Sequence, residues 1–143
     1  MARRVRRAYR GYMDTTTQAW VAIIDDEEPI RRALLRLLRS ADIDARAFAT
    51  GADLLDALAA GAPYCVVLDL HMPAMDGFTL MDELAARAPA TALIAMTGHD
   101  GPEVAARALS HGPLACLHKP MDDAALLAAL ATARTLHDRQ HRH

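Results

Sequence analysis

Short apolar runs alternate with longer amphipathic segments along most of the chain. The runs cover residues 20–25, 44–49, 64–69, 92–97 and 114–119, and successive runs begin 24, 20, 28 and 22 residues apart. That spacing leaves room for a helix after each strand and is too long for hairpins. Three of the runs are almost continuously apolar, which is typical of parallel strands covered on both faces. The pattern therefore predicts five strand–helix units.

The segments between the runs carry signals for the start and the end of helices. Pro29 stands in a first turn, Thr50 stands at an N-cap with Asp53 three residues later, and Gly61 and Gly112 follow two amphipathic segments. The predicted helices cover residues 29–41, 50–61, 78–88, 102–112 and about 122–137. We therefore predict a (βα)5 α/β fold with a doubly wound, five-stranded parallel sheet, for which the common strand order is 2-1-3-4-5.

The composition fits one globular domain. Of the 143 residues, 52% are hydrophobic and 24% are charged, and a chain of this size supports a single core. We place the domain at residues 19–137 and a short C-terminal tail at 138–143. Aromatic residues make up only 4%, which argues against a stacking surface for nucleic-acid bases.

The net charge of −2 conceals an uneven distribution. Residues 1–12 carry five arginines and no acid, so the rest of the chain is acidic overall. This basic N-terminal arm, residues 1–18, could bind nucleic acid or an acidic partner. We favour the simpler interpretation of a disordered tail, or of an upstream start codon with Met13 as the true beginning.

The cysteines and the longest apolar run indicate the compartment. Cys65 and Cys116 lie in separate apolar runs without a C-x-x-C pair, so we expect small buried residues and not a disulfide or a metal site. The longest apolar run, 124–133, is shorter than the ~20 residues of a membrane span. The basic N-terminus lacks the apolar segment of a secretory signal. We expect a cytoplasmic protein with no membrane partner.

Polar residues end the strands at the edge of the sheet where α/β proteins bind ligands. With the order 2-1-3-4-5, the switch point lies between strands 1 and 3, beyond their carboxyl ends. Strand 1 ends in the four acids 25–28, strand 3 in Asp69, strand 4 in Thr97 and strand 5 in Lys119. We expect these side chains to form one acidic pocket with a lysine and a hydroxyl on one side.

Such a pocket has a recognisable chemistry. Carboxylates that lie close together repel each other, and a divalent cation removes this electrostatic repulsion. Oxygen ligands with room for water suit Mg²⁺. A carboxylate can also attack phosphorus and form an aspartyl phosphate, a reaction that depends on charge neutralisation. Lys119 is the only lysine beside 15 arginines, and a compact ammonium suits one phosphoryl oxygen better than a planar guanidinium does.

Four motifs, in this order, resemble the receiver domain of two-component response regulators. They are IIDDEEP at strand 1, VVLDLHMPAMDG at strand 3, IAMTGHD at strand 4 and GPLACLHKP at strand 5, and the match covers about residues 20–136. Each motif is weak alone, whereas all four at near-standard spacing are highly specific. The resemblance implies the flavodoxin-like receiver fold. It also implies a phosphoacceptor signalling domain and not an enzyme, since such domains catalyse only their own phosphorylation and dephosphorylation.

The resemblance also implies a phosphoacceptor and a metal site. Asp69 would be the phosphoacceptor. Asp26, Asp69 and the backbone carbonyl of His71 would bind Mg²⁺, with Asp25 contributing through water.

Two further residues would contact the phosphoryl group. The resemblance implies that the hydroxyl of Thr97 closes onto it and that Lys119 is its counter-charge, followed by a cis bond to Pro120. Gly77 would end the loop that follows the site.

Several positions depart from the family pattern. Cys116 stands three residues before the lysine, where the family usually has an aromatic residue, and this calls the usual coupling between that ring and Thr97 into question. His71 and His99 lie two residues after Asp69 and Thr97, at positions that flank the phosphoryl group and tune its lifetime in this family. We expect an unusual phosphoryl lifetime.

Simpler interpretations exist for some of these residues. Asp25 and Asp26 could cap the first helix, but four consecutive acids exceed what a cap needs. His71, His99 and His118 could form a metal site, but their spacing matches no familiar ligand pattern, and we expect surface loop residues.

The first functional hypothesis is a single-domain response regulator. A sensor histidine kinase or a histidine phosphotransfer protein would phosphorylate Asp69 with Mg²⁺ as cofactor. The face of helix 4, strand 5 and helix 5 would then change its contacts with a downstream protein target. No effector segment follows residue 137, so we expect no DNA-binding domain. Homodimers through the strand 4–helix 5 face are common in such domains.

Two other functions remain open. The alternative hypothesis is a pseudo-receiver that is not phosphorylated and acts as an interaction module, for which Cys116 is the best support. An aspartate-based phosphatase or phosphotransferase similar to haloacid dehalogenases ranks last, because His71 replaces the usual second aspartate and no cap domain is present.

Overall fold

Five short strands form a fully parallel sheet at the centre of the protein. The computed structural model describes residues 19–71, 77–98 and 102–141, so the predicted N-terminal arm and residues 142–143 of the tail lie outside the described residues. The strands are β1 (Val21–Ile24), β2 (Ala45–Phe48), β3 (Cys65–Asp69), β4 (Ala92–Thr97) and β5 (Ala115–His118). Their order is β2-β1-β3-β4-β5, and all neighbours are parallel. The predicted (βα)5 topology and strand order are confirmed.

A helix follows each strand. The helices are α1 (Glu28–Ser40), α2 (Gly51–Ala57), α3 (Gly77–Arg87), α4 (Pro102–Ser110) and α5 (Asp123–Gln140). The predicted cap Thr50 accepts a hydrogen bond from the backbone N–H of Asp53 at 3.1 Å, and a short 3-10 turn extends α2. Within the described ranges, no helix is long and apolar enough to cross a lipid bilayer.

Helix α5 is longer than the sequence predicts. Its apolar periodicity predicts an end near residue 137, but the helix continues to Gln140. An ion pair from Arg134 Nε to Asp138 Oδ1, at 3.0 Å, stabilises the last turns because residues four apart lie on one face. The N–H of His141 donates to the carbonyl of His137 at 3.2 Å and closes the final turn. Polar pairing therefore extends the helix beyond the segment that apolar contacts require.

The strands alternate their side chains between two hydrophobic layers. One layer packs helices α2, α3 and α4 against the sheet through residues such as Leu54, Leu84 and Ala108. The other packs α1 and α5 against the opposite face through Leu38 and Leu126. Burying one leucine completely contributes about 1.5–3 kcal/mol to stability. Two-sided burial explains why the central strands β1, β3 and β4 have continuous apolar runs and no polar alternation.

The parallel arrangement brings the carboxyl ends of the strands to one edge of the sheet. Asp25 directly follows β1, Asp69 ends β3, Thr97 ends β4 and Lys119 directly follows β5. Because β1 and β3 are neighbours at the switch point of the strand order, this edge is where ligands bind in open α/β sheets.

Gly77, the first residue of α3, packs tightly against the residue that follows Asp69. A Cβ atom there would lie 3.0 Å from both Cα and Cδ2 of Leu70. Leu70 is buried, and its N–H donates to the carbonyl of Met96 at 3.0 Å. An added methyl group therefore has no room unless the end of β3 moves.

We predict that Gly77→Ala lowers the free energy of unfolding by about 1–3 kcal/mol, the usual range for overpacking. It should also weaken Mg²⁺ binding, because displacement of Leu70 moves Asp69. Urea denaturation and Mg²⁺ titration measure the two effects. Gly112→Ala is the matched control: Gly112 has φ 74°, so alanine is strained there too, but it lies beyond the end of α4. Equal Mg²⁺ affinity in Gly77→Ala and in the wild type would contradict this prediction.

Candidate functional site

Two buried carboxylates at the centre of the site are held in the same way. Asp25 is fully buried, and Asp69 is 2% exposed. Oδ1 of Asp25 accepts a hydrogen bond from the N–H of Glu27 at 2.9 Å, and Oδ1 of Asp69 accepts one from the N–H of His71 at 2.9 Å. Aspartate commonly bonds the amide two residues on in this way. The bonds orient both carboxylates and leave their Oδ2 atoms for another partner.

Lys119 is that partner for both carboxylates. Its Nζ donates to Asp25 Oδ2 at 3.1 Å and to Asp69 Oδ2 at 3.2 Å. The lysine is positioned by the edge of the sheet, where its backbone N–H donates to the carbonyl of Thr97 at 2.8 Å. The Lys119–Pro120 bond is cis, as predicted. The structure therefore brings Asp25, Asp69 and Lys119 into one group.

Burial and charge shift the pKa values of two members of this group. Burial raises the pKa of Asp69 and the charge of Asp25 adds to the rise, while the His71 amide and Lys119 oppose it. Burial alone would lower the pKa of Lys119, but the hydrogen bond to Asp25 and the charges of both carboxylates outweigh it and raise the pKa above its usual value. One ammonium thus serves two buried carboxylates, and the pocket keeps an excess of negative charge.

Asp25 also belongs to a group of acids that can hold a cation. In the part of the chain that the structure describes, Asp25, Asp26 and Glu27 form the only group of three or more ligand residues whose atoms lie within 4.8 Å of one another. Asp26 and Glu27 are exposed. An oxygen-only set that is open to water on one side fits Mg²⁺. Glu27 is absent from the predicted ligands, although the run of four acids at 25–28 is a signal that includes it.

The other predicted ligands lie outside this group. Asp69 is engaged by Lys119 and by the amide of His71. The side chain of His71 is exposed, and the use of its carbonyl for a metal stays a prediction. His99, predicted to tune the site, lies outside the described residues.

Thr97 ends β4 with a buried hydroxyl that faces β5. The residue is 2% exposed, and its Oγ1 lies 3.0 Å from Nδ1 of His118. The side chain of Cys116 also makes a hydrogen bond with Thr97. Burial raises the pKa of the Cys116 thiol, and this hydrogen bond opposes the rise. Two side chains of β5 therefore contact the Thr97 hydroxyl, which is predicted to bond a phosphoryl group.

His118 is the residue of the site that sequence reasoning missed. The predicted strand run 114–119 includes His118, but its predicted role is only that of a surface loop residue; it is the last residue of β5, exposed, and pairs in register with Thr97. Side chains two apart on a strand share a face, so residues 116 and 118 both lie beside the end of β4. This period-two relation is the signal that could have found His118.

The two cysteines are free thiols. Burial raises the pKa of the Cys65 thiol to about 12, so Cys65 is a hydrophobic core residue, as predicted. Cys116 is only partly buried and packs against the layer of α2, α3 and α4.

The fold and this pocket together define a class of protein. A buried carboxylate ends the strand beside the switch point, and a lysine from the edge strand reaches it across β4. A carboxylate so placed can act as a nucleophile toward phosphorus, and nearby cationic charge would stabilise the transferred group. The class is that of doubly wound domains with a buried aspartate at the end of the strand beside the switch point.

Comparison with known families agrees with this class. The family model described as response regulator receiver domain matches residues 21–131. The chain therefore belongs to the family of response regulator receiver domains, and the resemblance seen in the four motifs is confirmed. Phosphorylation and magnesium are general features of that family.

Relatives in sequence are transcriptional regulators and a nodulation protein. The chain is 39% identical over 113 residues to the transcriptional regulatory protein FixJ of Azorhizobium caulinodans, which covers 77% of this chain and 52% of FixJ. It is 32% identical over 136 residues to nodulation protein W of Bradyrhizobium diazoefficiens, covering 95% of this chain and 60% of that protein. The chain thus spans little more than half the length of these relatives.

Solved structures give the same fold. A response regulator receiver protein from Burkholderia phymatum has a TM-score of 0.72 and 34% identity, covering 81% of this chain and 94% of that one. The signal receiver domain of an HD domain-containing protein from Pseudomonas fluorescens has a TM-score of 0.78 and 28% identity, covering 85% and 98%.

We predict that Lys119→Met is strongly destabilising in the absence of metal. It leaves two buried carboxylates without counter-charge, and breaking a buried ion pair costs about 3–5 kcal/mol. We expect the lower end of that range, since the lysine side chain is 25% exposed. Urea denaturation in EDTA measures the free energy of unfolding.

Two comparisons sharpen this test. Lys119→Arg keeps the positive charge and should lose less stability than Lys119→Met. Mg²⁺ should stabilise Lys119→Met more than it stabilises the wild type, because the cation replaces the lost ammonium charge. A methionine variant as stable as the wild type in EDTA would show that the ion pairs contribute nothing.

We predict that Asp69→Asn is more stable than the wild type at pH 7 without metal. The folded state raises the pKa of Asp69 above its usual 3.8, so the ionised carboxylate destabilises the fold above that range. The advantage of asparagine should shrink as the pH falls toward 3.8, because the carboxylate is protonated first in the folded state, and it should vanish below 3.8, where the unfolded chain is protonated as well. Thermal unfolding at pH 7 and pH 4 measures it, with the exposed Asp56→Asn as control. An Asp69→Asn variant less stable than the wild type at pH 7 would oppose this account.

Proposed function

We propose that this domain accepts a phosphoryl group on Asp69 from the phosphohistidine of a sensor histidine kinase or a histidine phosphotransfer protein. The observation that carries the proposal is the position of Lys119 Nζ, 3.1 Å from Asp25 Oδ2 and 3.2 Å from Asp69 Oδ2. A purely structural ion pair needs one anion for each cation. Here one cation lies between two buried anions, so one negative charge stays unbalanced and a second cation can neutralise it. Phosphoryl transfer depends on such charge neutralisation.

In the proposed reaction, a carboxylate oxygen of Asp69 forms a bond to phosphorus while the bond from phosphorus to the donor histidine nitrogen breaks. The bonding electron pair returns to that nitrogen. The amide of His71 keeps the Asp69 carboxylate oriented during attack, because it bonds Oδ1 at 2.9 Å. Lys119 then pairs with an oxygen of the transferred group in place of the carboxylate charge.

The acids after β1 are the proposed metal ligands. Mg²⁺, when bound, would supply positive charge next to the incoming phosphoryl oxygens. Asp26, Asp69 and the carbonyl of His71 would hold it, with Asp25 contributing through water. The oxygen-only group of Asp25, Asp26 and Glu27 supports this assignment.

We further propose that the phosphorylated domain acts through the face of α4, β5 and α5. Among the described residues, the exposed large apolar side chains are Leu109 on α4, Leu114 just before β5, and Leu136 on α5, which are 60%, 36% and 40% exposed. Exposed apolar side chains on or beside these three elements suit a protein partner. The proposed partners are a downstream target protein and a second copy of the chain.

A cytoplasmic location is part of the proposal. Cys65 and Cys116 are free thiols, which agrees with a reducing compartment. The phosphohistidine donor would act in that same compartment.

The second candidate function is an interaction module that is not phosphorylated. The observation that favours it is Cys116, which stands where the family usually has an aromatic residue and makes its hydrogen bond with Thr97. The intact group of Asp25, Asp69 and Lys119 favours phosphorylation instead.

We predict that a small acyl phosphate with Mg²⁺ adds one phosphoryl group to the wild type and none to Asp69→Asn. Intact-protein mass spectrometry measures the uptake, and EDTA should abolish it. Asp56→Asn, an exposed carboxylate on α2, is the matched control and should be labelled like the wild type. Equal labelling of Asp69→Asn and the wild type would contradict the assignment of Asp69 as the acceptor. A wild type that takes up no label would favour the interaction module.

A further inference from the structure

The hydroxyl of Thr97 is directed toward the edge strand and not toward Asp69. β4 lies between β3, which carries Asp69, and β5, which carries His118. Thr97 Oγ1 lies 3.0 Å from Nδ1 of His118, the residue that pairs with it in register. To bond a phosphoryl group attached to Asp69, the hydroxyl has to turn away from β5. That rotation breaks the contact with the imidazole whichever ring nitrogen carries the proton.

The burial of Thr97 makes this contact important for the orientation of its hydroxyl. The residue is only 2% exposed, so bulk water has little access to the hydroxyl as a substitute partner. Cys116, two residues before His118 on the same strand, also makes a hydrogen bond with Thr97, but a thiol is a weak partner. The imidazole is therefore the stronger of the two known side-chain partners that hold Thr97 toward β5.

The imidazole also reaches the outside of the molecule. His118 is exposed, whereas Thr97 is buried. Cys116, on the same side of β5, packs against the layer that includes Val104 of α4. The Thr97–His118 contact thus connects the buried end of β4 with the surface beside α4. His118 lies two residues after Cys116, the position where the family usually has an aromatic residue.

We infer that His118 is a positioning residue that holds Thr97 away from the phosphoryl site until the site is filled. The inference rests on the proposed function, since Thr97 is the hydroxyl expected to bond the phosphoryl group. Filling the site draws Thr97 from the imidazole and frees the ring at the surface. By linkage, a change that removes the imidazole favours the filled state by the same factor.

The size of the effect follows from one hydrogen bond. The net contribution of such a bond corresponds to a factor of about two to ten in an equilibrium constant. His118→Leu removes the partner of Thr97 and is expected to bind a phosphoryl analogue about two- to tenfold more tightly than the wild type. His118→Asn, whose amide can replace Nδ1 as a hydrogen-bond partner, should stay close to the wild type.

The test uses beryllium fluoride with Mg²⁺ as the phosphoryl analogue, titrated into the full chain by calorimetry. A double-mutant cycle of Thr97→Val and His118→Leu separates positioning from general stability, because His118→Leu should have no effect when the hydroxyl is absent. His141→Leu, at the exposed end of α5, is the matched histidine control and should bind like the wild type. Thermal unfolding checks that all variants are folded.

The outcomes distinguish this inference from the function on which it rests. If the wild type binds the analogue and His118→Leu binds it equally or less tightly, the inference fails and the proposed function stands. If the wild type neither binds the analogue nor accepts a phosphoryl group, both fail. Nitrogen NMR of the wild type is an independent measurement: the His118 Nδ1 signal should shift when the analogue is added, and an unchanged signal would overturn the inference.

Discussion

The whole site depends on one ammonium group that bonds two buried carboxylates. Burial of a carboxylate is costly unless it is paired and hydrogen-bonded, and Lys119 together with two backbone amides offsets part of that cost for Asp25 and Asp69. The contact is possible because parallel strands bring the ends of β1, β3 and β5 to the same edge. The pairing allows the pocket to fold. Because one ammonium does not balance two carboxylates, the pocket is also suited to a further cation and an incoming phosphoryl group.

Much of this arrangement is predictable from the sequence. Strands buried on both faces produce continuous apolar runs, and the polar residue that ends each run marks the edge of the sheet, so the pattern alone places Asp69 and Lys119 there. The end of α5 is less accessible to prediction, because polar i,i+4 pairing and not apolar periodicity extends it to Gln140. The place of Glu27 beside Asp25 depends on the turn after β1, which a run of acids does not specify.

The contact between Thr97 and His118 shows why some site residues escape sequence reasoning. Motif comparison draws attention to the position three before the lysine, where Cys116 replaces the usual ring. The stronger partner of Thr97 is His118, the next residue on the same face of β5, and this contact depends on the register of β4 against β5. Because β5 is an edge strand and His118 is exposed, a change in the position of buried Thr97 alters a contact at the surface near α4.

The central claim is that the Asp69 carboxylate itself becomes the acyl phosphate, and its chemical reduction tests this most directly. Borohydride converts an aspartyl phosphate to homoserine with release of phosphate, and peptide mass spectrometry locates the reduced residue after treatment with acyl phosphate and Mg²⁺. The account predicts homoserine at position 69, with Asp25 and Asp26 unchanged. Reduction at either of those residues, or none at position 69 in a protein that has taken up a phosphoryl group, would contradict it.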